Sequence, residues 1–313
     1  MSFLRSDPRN KFLRIIINGG LGDHLLIAPF IRHFKKSGLY EKVICVINDK
    51  AKELYDQNPY VDDLITCLGQ DLYLWALPEQ DYDIFSPYIS VEEPDRVEDV
   101  HSLKAASLFD FNAGSAPVVQ QLKAYYGISF SDESLEIFTI PDDEAWADET
   151  VKPWSHHKIV YLNAQSRLFQ KNYPLALWQK TVNLLFEKNK TGLIVLQICE
   201  EQDKLDATQR LGFIPPLRRV TALLRRVSCI VTVDSFPGHL ASAVGTPGIV
   251  LFGPSNPLVF GHRSNINIRT DICPPCADTR RRRECQRSIC LEGISPESIV
   301  KNISALLERP APR

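Results

Sequence analysis

The sequence predicts two doubly wound α/β domains, and three observations carry that expectation. Short β-branched apolar runs alternate with helical patterns along the chain, which implies βαβ units on parallel sheets. The length of 313 residues suits two domains of ordinary size. The strand-helix order also begins afresh at Lys158, after a proline-bracketed acidic stretch from Ile140 to Ser155. Residues 1–140 are therefore expected to form an N-terminal domain, 141–155 a linker and 156–313 a C-terminal domain.

Phe12 to Ile17 reads as the first strand, followed by the glycine loop Asn18-Gly19-Gly20-Leu21-Gly22-Asp23 and an apolar helix to Lys36. Three glycines suit a backbone that turns sharply close to a ligand. As a dinucleotide fingerprint the loop fails, because the position three after Gly22 is Leu25 rather than Gly or Ala. Val43 to Ile47 and Asp63 to Cys67 are further strands, with a helix from Asp49 to Gln57 between them. Leu72 to Leu77 reads as helix, Asp83 to Phe85 as a short strand, and Val91 to Asp99 as a solvated acidic turn. Helices are expected at His101 to Phe109 and at Val118 to Tyr126.

In the second half, Lys158 to Leu162 is a strand, and a loop with Lys171 leads to a helix carrying Trp178. Leu193 to Ile198 is the next strand. Leu217 to Val227, with Arg218, Arg219, Arg225 and Arg226 among apolar residues, reads as an amphipathic helix with a solvated basic face. Ile294 to Leu307 is the terminal helix, with Ser295-Pro296-Glu297-Ser298 as its start signal.

The stretch from Ser228 to Pro257 organises the chain. Cys229 to Val233 is a buried-type strand ending in Asp234, so a carboxylate stands where open α/β sheets bind ligands. Ser235 and the Phe236-Pro237-Gly238 turn then open a short helix with His239 in its first turn. The unpaired amides and the dipole of such a helix make a receptor for phosphate or pyrophosphate. Ala241, Ser242, Ala243 and Gly245 are small enough to let the helix pack closely on its sheet.

The run D-S-x-x-x-H-x-A-x-A-x-G-x-P followed by F-G-P-S-x-P resembles the donor-site signature of the family-nine glycosyltransferases, the bacterial ADP-heptose heptosyltransferases. The glycine loop, with Asp23 and Pro29, resembles that family's amino-terminal motif. Lys171, ahead of Tyr173-Pro174 and Trp178, resembles its phosphate-binding lysine. The resemblance implies the two-domain GT-B arrangement, with the domains facing a cleft, and inverting transfer of a heptose from ADP-heptose to a lipopolysaccharide-core sugar or a protein hydroxyl. It implies Asp23 as the base acting on the acceptor hydroxyl, Gly20 and Gly22 in the acceptor-side loop, and Lys171, Asp234, Ser235, Gly238 and His239 around the donor. No D-x-D stands at a strand end to hold Mg²⁺, so no catalytic metal is expected. Other readings remain: Asp23 as a helix cap, a nicotinamide-dependent oxidoreductase, or a non-catalytic nucleotide-sugar-binding protein.

Charge is nearly balanced, with 36 basic against 38 acidic residues, so no global field argues for nucleic acid. No apolar run reaches the length of a spanning helix and the first residues lack a signal-peptide core, which makes the expected location cytoplasmic. Cys45, Cys67, Cys199 and Cys229 read as small core residues. Cys273, Cys276, Cys285 and Cys290 fall within one short segment and suit a structural zinc or iron ion on four thiolates, with disulfides as the rival. Arg280, Arg281, Arg282 and Arg283 between them read as a solvated charge run, or as a reach toward a phosphate or a peripheral membrane contact.

Overall fold

A computed structural model describes residues 10–68, 81–87, 115–189, 191–277, 282 and 284–308. The helices expected at Leu72 to Leu77 and His101 to Phe109, the acidic turn from Val91 to Asp99, and most of the arginine run lie outside these residues. The chain divides into two compact units, one of residues 1–111 and 118–138, the other of 112–117 and 139–313.

The first unit holds a parallel sheet in the order β3-β2-β1-β4, built from β1 (Phe12–Ile17), β2 (Lys42–Asn48), β3 (Asp63–Cys67) and β4 (Tyr82–Phe85). Leu13, Ile15, Ile16 and Ile17 are all fully buried, so both faces of β1 are covered, as a parallel sheet requires. Helix α1 (Leu21–Ser37) packs on this sheet, and Phe30 and Phe34 meet Phe85 at ring separations of 5.2 and 5.4 Å. Helix α2 (Val118–Tyr126) adds Tyr126, whose hydroxyl donates to the Ser86 carbonyl at 2.9 Å. Between β2 and β3 the expected helix is one short 3₁₀ segment, Asp49–Leu54.

The second unit holds a six-stranded parallel sheet in the order β10-β9-β8-β5-β6-β7. Its strands are β5 (Lys158–Asn163), β6 (Leu193–Gln197), β7 (Gln209–Arg210), β8 (Cys229–Val233), β9 (Gly248–Leu251) and β10 (Asn265–Ile268). The chain runs outward from β5 through β6 to β7, then returns to lay β8, β9 and β10 on the other side. Between β5 and β8 the order reverses, and the carboxyl ends of the strands at such a switch point are where open α/β sheets bind ligands. Val160, Leu162, Val231, Val233, Ile249 and Leu251 form the buried floor, covered by Trp178 and Val182 of α4 (Leu175–Lys188) and by Ile299 and Ile303 of the terminal helix Pro296–Leu307. Cys45 and Cys229 are fully buried, while Cys67 and Cys199 are only half-buried.

Two expectations need correction, and one contact accounts for both. The stretch expected to be a linker is helix α3 (Pro141–Val151) with a 3₁₀ turn after it, and it belongs to the second unit. The basic face of α5 (Leu217–Leu224) and the turn after it is not simply solvated, because α3 lies against it. Arg218 meets Asp143 at 3.1 Å, Arg225 meets Glu144 at 2.6 Å, and Arg226 pairs with both Glu144 and Asp148. Charge complementarity holds these two helices together where an apolar stripe would usually do so.

Candidate functional site

The carboxyl ends of β5 and β8 collect the residues that the sequence singled out around the donor. Lys171 stands at the end of a 3₁₀ turn, Phe169–Lys171, in the loop after β5. That loop is held from behind by buried aromatics. The Tyr173 hydroxyl donates to the Ile294 carbonyl at 2.7 Å, and the Trp178 indole N–H donates to the Ala164 carbonyl at 3.1 Å. Asp234 follows directly on β8, and its Oδ2 accepts from Lys171 Nζ at 2.6 Å. The carboxylate is buried while the ammonium keeps about a fifth of its surface, 21% against 5% for the side chains. Burial alone would raise the Asp234 carboxyl; Lys171, with help from the Ser255 hydroxyl, holds it below the ordinary carboxylate range.

Helix α6 (Phe236–Val244) begins at Ser235, whose extended backbone makes it the N-cap, and ends at Gly245 in the left-handed region, φ 73°. The Ser235 hydroxyl does not cap the helix. It bonds the Val233 carbonyl and lies 3.1 Å from the Thr232 hydroxyl, with the Asn163 amide 3.4 Å away. Pro237 brings no N–H, and the Gly238 amide donates to the Ser235 carbonyl at 2.9 Å. The anion receptor expected of this turn therefore rests on the Phe236 amide, the helix dipole and Lys171, rather than on a full set of amides. Gly238 serves packing: a Cβ there would stand 3.1 Å from Val250 Cγ2.

His239 is buried at 8% exposure, and its Nδ1 lies 2.8 Å from Nε2 of His262. Burial lowers both imidazoles, His239 to about 4 and His262 to about 3, although Asp234 pulls each of them back upward. Nothing in the sequence pattern marks His262 as part of this site, whereas Ser255 is the serine of the F-G-P-S-x-P run. Asn163 had a weaker signal, its place at the end of the strand-like run from Lys158.

In the first unit, Gly19 has φ 137° and a Cβ on it would come within 2.5 Å of Asp23 Oδ2, so this position requires glycine. Helix α1 starts earlier than expected, at Leu21, which puts Gly22 and Asp23 in its first turn. Asp23 Oδ2 accepts from the Gly20 amide at 2.7 Å. The chain's own carboxylate thus takes the place that a dinucleotide's pyrophosphate needs, and this argues against the nicotinamide alternative. Behind the loop, Asn48 Nδ2 lies 3.3 Å from both the Gly19 carbonyl and His24 Nε2, and His24 Nδ1 lies 2.9 Å from the Tyr55 hydroxyl. Burial lowers His24 to about 3.

Three imidazoles are thus held neutral, His24 and His239 buried and His262 half-buried, and the sign of the pH effect follows. An unfolded imidazole takes up a proton below about pH 6.5, while the folded ones stay neutral until far lower. Their contribution is complete above that pH and is lost as pH falls. Stability is expected to drop between pH 6.5 and 5 by about 2 kcal/mol for each of His24, His239 and His262. Equal urea midpoints at pH 7 and pH 5 would reject this.

Among the cysteines of the C-terminal segment, Cys276 and Cys290 are buried and Cys273 and Cys285 half-buried. Burial raises the Cys290 thiol, and Cys273 and Cys276 lie close enough to raise it further. Cys285 Sγ faces the Arg287 carbonyl at 3.0 Å instead. Among the described residues no three side chains of His, Cys, Asp or Glu converge as a metal site, so the expected thiolate tetrahedron is not assembled here. No helix among the described residues is long and apolar enough to cross a membrane.

Residues 89–286 match the pattern of glycosyltransferase family 9 (heptosyltransferase), well over half of the chain. The chain belongs to that family. Over 161 residues it is 24% identical to lipopolysaccharide heptosyltransferase 1 of Pseudomonas aeruginosa, a match that covers 45% of this chain and 45% of that one. A second relative, lipopolysaccharide heptosyltransferase 1 of Salmonella typhimurium, is 28% identical over 120 residues, 34% of this chain and 35% of its own. The matches thus span less than half the length of these curated relatives. The fold agrees over nearly all of the chain with a family 9 glycosyltransferase from Veillonella parvula, at TM-score 0.73 and 17% identity, covering 97% of this chain and 98% of that one. It also agrees with TibC, an iron-containing dodecameric glycosyltransferase of enterotoxigenic E. coli, at TM-score 0.63 and 14% identity, covering 95% and 76%. The two parallel α/β sheets are those of GT-B-type heptosyltransferases.

Proposed function

We propose that this family 9 member is an inverting glycosyltransferase that moves a heptose from ADP-heptose to a hydroxyl acceptor. The observation that carries the reading is the Lys171–Asp234 pair beside the N-terminus of α6, at the carboxyl ends of β5 and β8. A buried carboxylate orients the lysine, and the ammonium and helix dipole offer positive charge to the diphosphate. A TibC structure described as a complex with ADP-D-β-D-heptose gives the donor class.

In the reaction, the acceptor oxygen attacks the anomeric carbon on the face opposite the diphosphate. Its proton passes to the Asp23 carboxylate, and the bond from that carbon to the diphosphate oxygen breaks with both electrons leaving on ADP. Lys171, Ser235 and the start of α6 stabilise the charge that develops there. The lipopolysaccharide heptosyltransferases among the relatives favour a core sugar as the acceptor. A protein hydroxyl is the second candidate. ADP release measured with ADP-heptose, with and without core oligosaccharide, tests the reading: no ADP and no heptosylated product with either acceptor class rejects it.

Cys273, Cys276, Cys285 and Cys290 also remain a proposed structural metal site. The C-P-P-C spacing supports it, Cys273 and Cys276 lie within electrostatic reach of Cys290, and TibC is described as iron-containing. Binding would need the Cys285 thiol to turn away from the Arg287 carbonyl. Elemental analysis under reducing conditions is expected to find one zinc or iron per chain; well under one, with the melting temperature of the Cys273→Ser, Cys276→Ser variant unchanged, rejects the site.

A further inference from the structure

We propose that His262 is a positioning residue of the donor site, donating its Nε2 proton to His239 Nδ1 and so keeping the His239 proton on Nε2. The role rests on the donor-site reading above. The two rings lie 5.0 Å apart at 79°, close to an edge-on arrangement, and the 2.8 Å gap between Nδ1 and Nε2 has room for one proton. Burial keeps both rings neutral at physiological pH, so that single proton comes from one ring or the other.

Electrostatics chooses between the two arrangements. If His239 supplied the proton, its Nε2 would be a bare lone pair in a site that already holds the Asp234 carboxylate. Asp234 is near enough to raise the proton affinity of both rings; the Lys171 ammonium acts on His239 in the opposite sense but is itself paired with Asp234, and the donor would bring two further anionic phosphates. If His262 supplies it, His239 Nε2 carries an N–H, a hydrogen-bond donor in the field of the Asp234 carboxylate and of the incoming phosphates. The second arrangement is favourable and the first repulsive.

Strand β10 fixes the geometry that makes this choice possible. Asn267 Nδ2 donates to the His262 carbonyl at 3.0 Å, and Asn265 Nδ2 donates to the Gly238 carbonyl at 2.8 Å, one residue before His239. Two side chains of one strand thus tie down the backbones that carry the two rings. His262 is separated from His239 by strand β9 and the short helix Pro257–Phe260, and its ring is placed on His239 by the fold rather than by sequence proximity.

Two measurements test the assignment. In ¹⁵N-histidine spectra of the full chain at neutral pH, with the His239 signals identified by their loss in His239→Gln, the proton is expected on Nε2; a proton on Nδ1 overturns the proposal. Affinity for ADP is expected to fall about tenfold in His262→Leu, which removes the donor, corresponding to one hydrogen bond to a charged site. His262→Gln, whose amide N–H can replace the imidazole donor, is expected to stay within about threefold of the parent. Equal losses in the two variants, or none in either, overturn it as well. If the parent chain does not bind ADP, the donor-site reading fails and takes this role with it; if the parent binds ADP while His239 is protonated on Nδ1, only the role of His262 fails. Should His262→Leu not fold, the tautomer in the parent chain still decides.

Discussion

Replacing Asp23 with Asn is expected to slow heptose transfer by about 10²- to 10⁴-fold, the usual contribution of a general base, while leaving ADP affinity and melting temperature unchanged. The substitution separates two roles that Asp23 combines. Its carboxylate accepts from the Gly20 amide at 2.7 Å, which is a capping contact. An Asn side-chain oxygen accepts that bond equally well, so the cap survives and only the ability to take a proton is lost. A companion change, Gly19→Ala, acts from the other side. Its Cβ would stand 2.5 Å from Asp23 Oδ2 and would force a left-handed alanine, so it displaces the carboxylate without altering its chemistry. Both variants are expected to lose turnover. Turnover of Asp23→Asn within tenfold of the parent, a change below about 1.4 kcal/mol in the barrier, would leave Asp23 as a helix cap and nothing more.

Much of the fold was legible because its strands are buried on both faces and so appear as unbroken β-branched runs. Cys229–Val233 is such a run, Phe12–Ile17 is one interrupted only by the buried Arg14, and both strands begin and end where their apolar residues do. Helix α3 was not legible for a related reason. Its sequence, P-D-D-E-A-W-A-D-E-T-V, has few apolar residues because its partner face is a row of arginines, and periodicity methods see apolar stripes rather than complementary charge. The residues proposed for the donor site could be named separately from strand ends and motif spacing. Their coupling could not, because Lys171 and Asp234 stand 63 positions apart and meet only when β5 and β8 become neighbours. His262 lay beyond reach altogether: a single histidine in a loop has no period and no spacing to betray it.

That coupling makes Lys171→Ala the most informative change in the second unit. It should remove the diphosphate's cation and also leave Asp234 buried with no opposite charge. Breaking a buried pair from one side typically costs about 3–5 kcal/mol. The lower end, about 3 kcal/mol, is expected here because Lys171 retains some contact with solvent and Asp234 can escape part of the cost by taking up a proton. Lys171→Ala combined with Asp234→Asn should recover most of that stability, since no unpaired charge is then buried. Affinity for ADP should behave differently. Using ADP rather than the sugar nucleotide avoids any contact between Asp234 and the sugar, so the measurement reports on the diphosphate alone. If Lys171 holds the diphosphate, ADP affinity falls by at least about tenfold, the worth of one charge-assisted hydrogen bond, in the single and the double variant alike. If the double variant regains ADP affinity together with its stability, Lys171 serves only to neutralise Asp234, and its assignment as the diphosphate ligand is wrong.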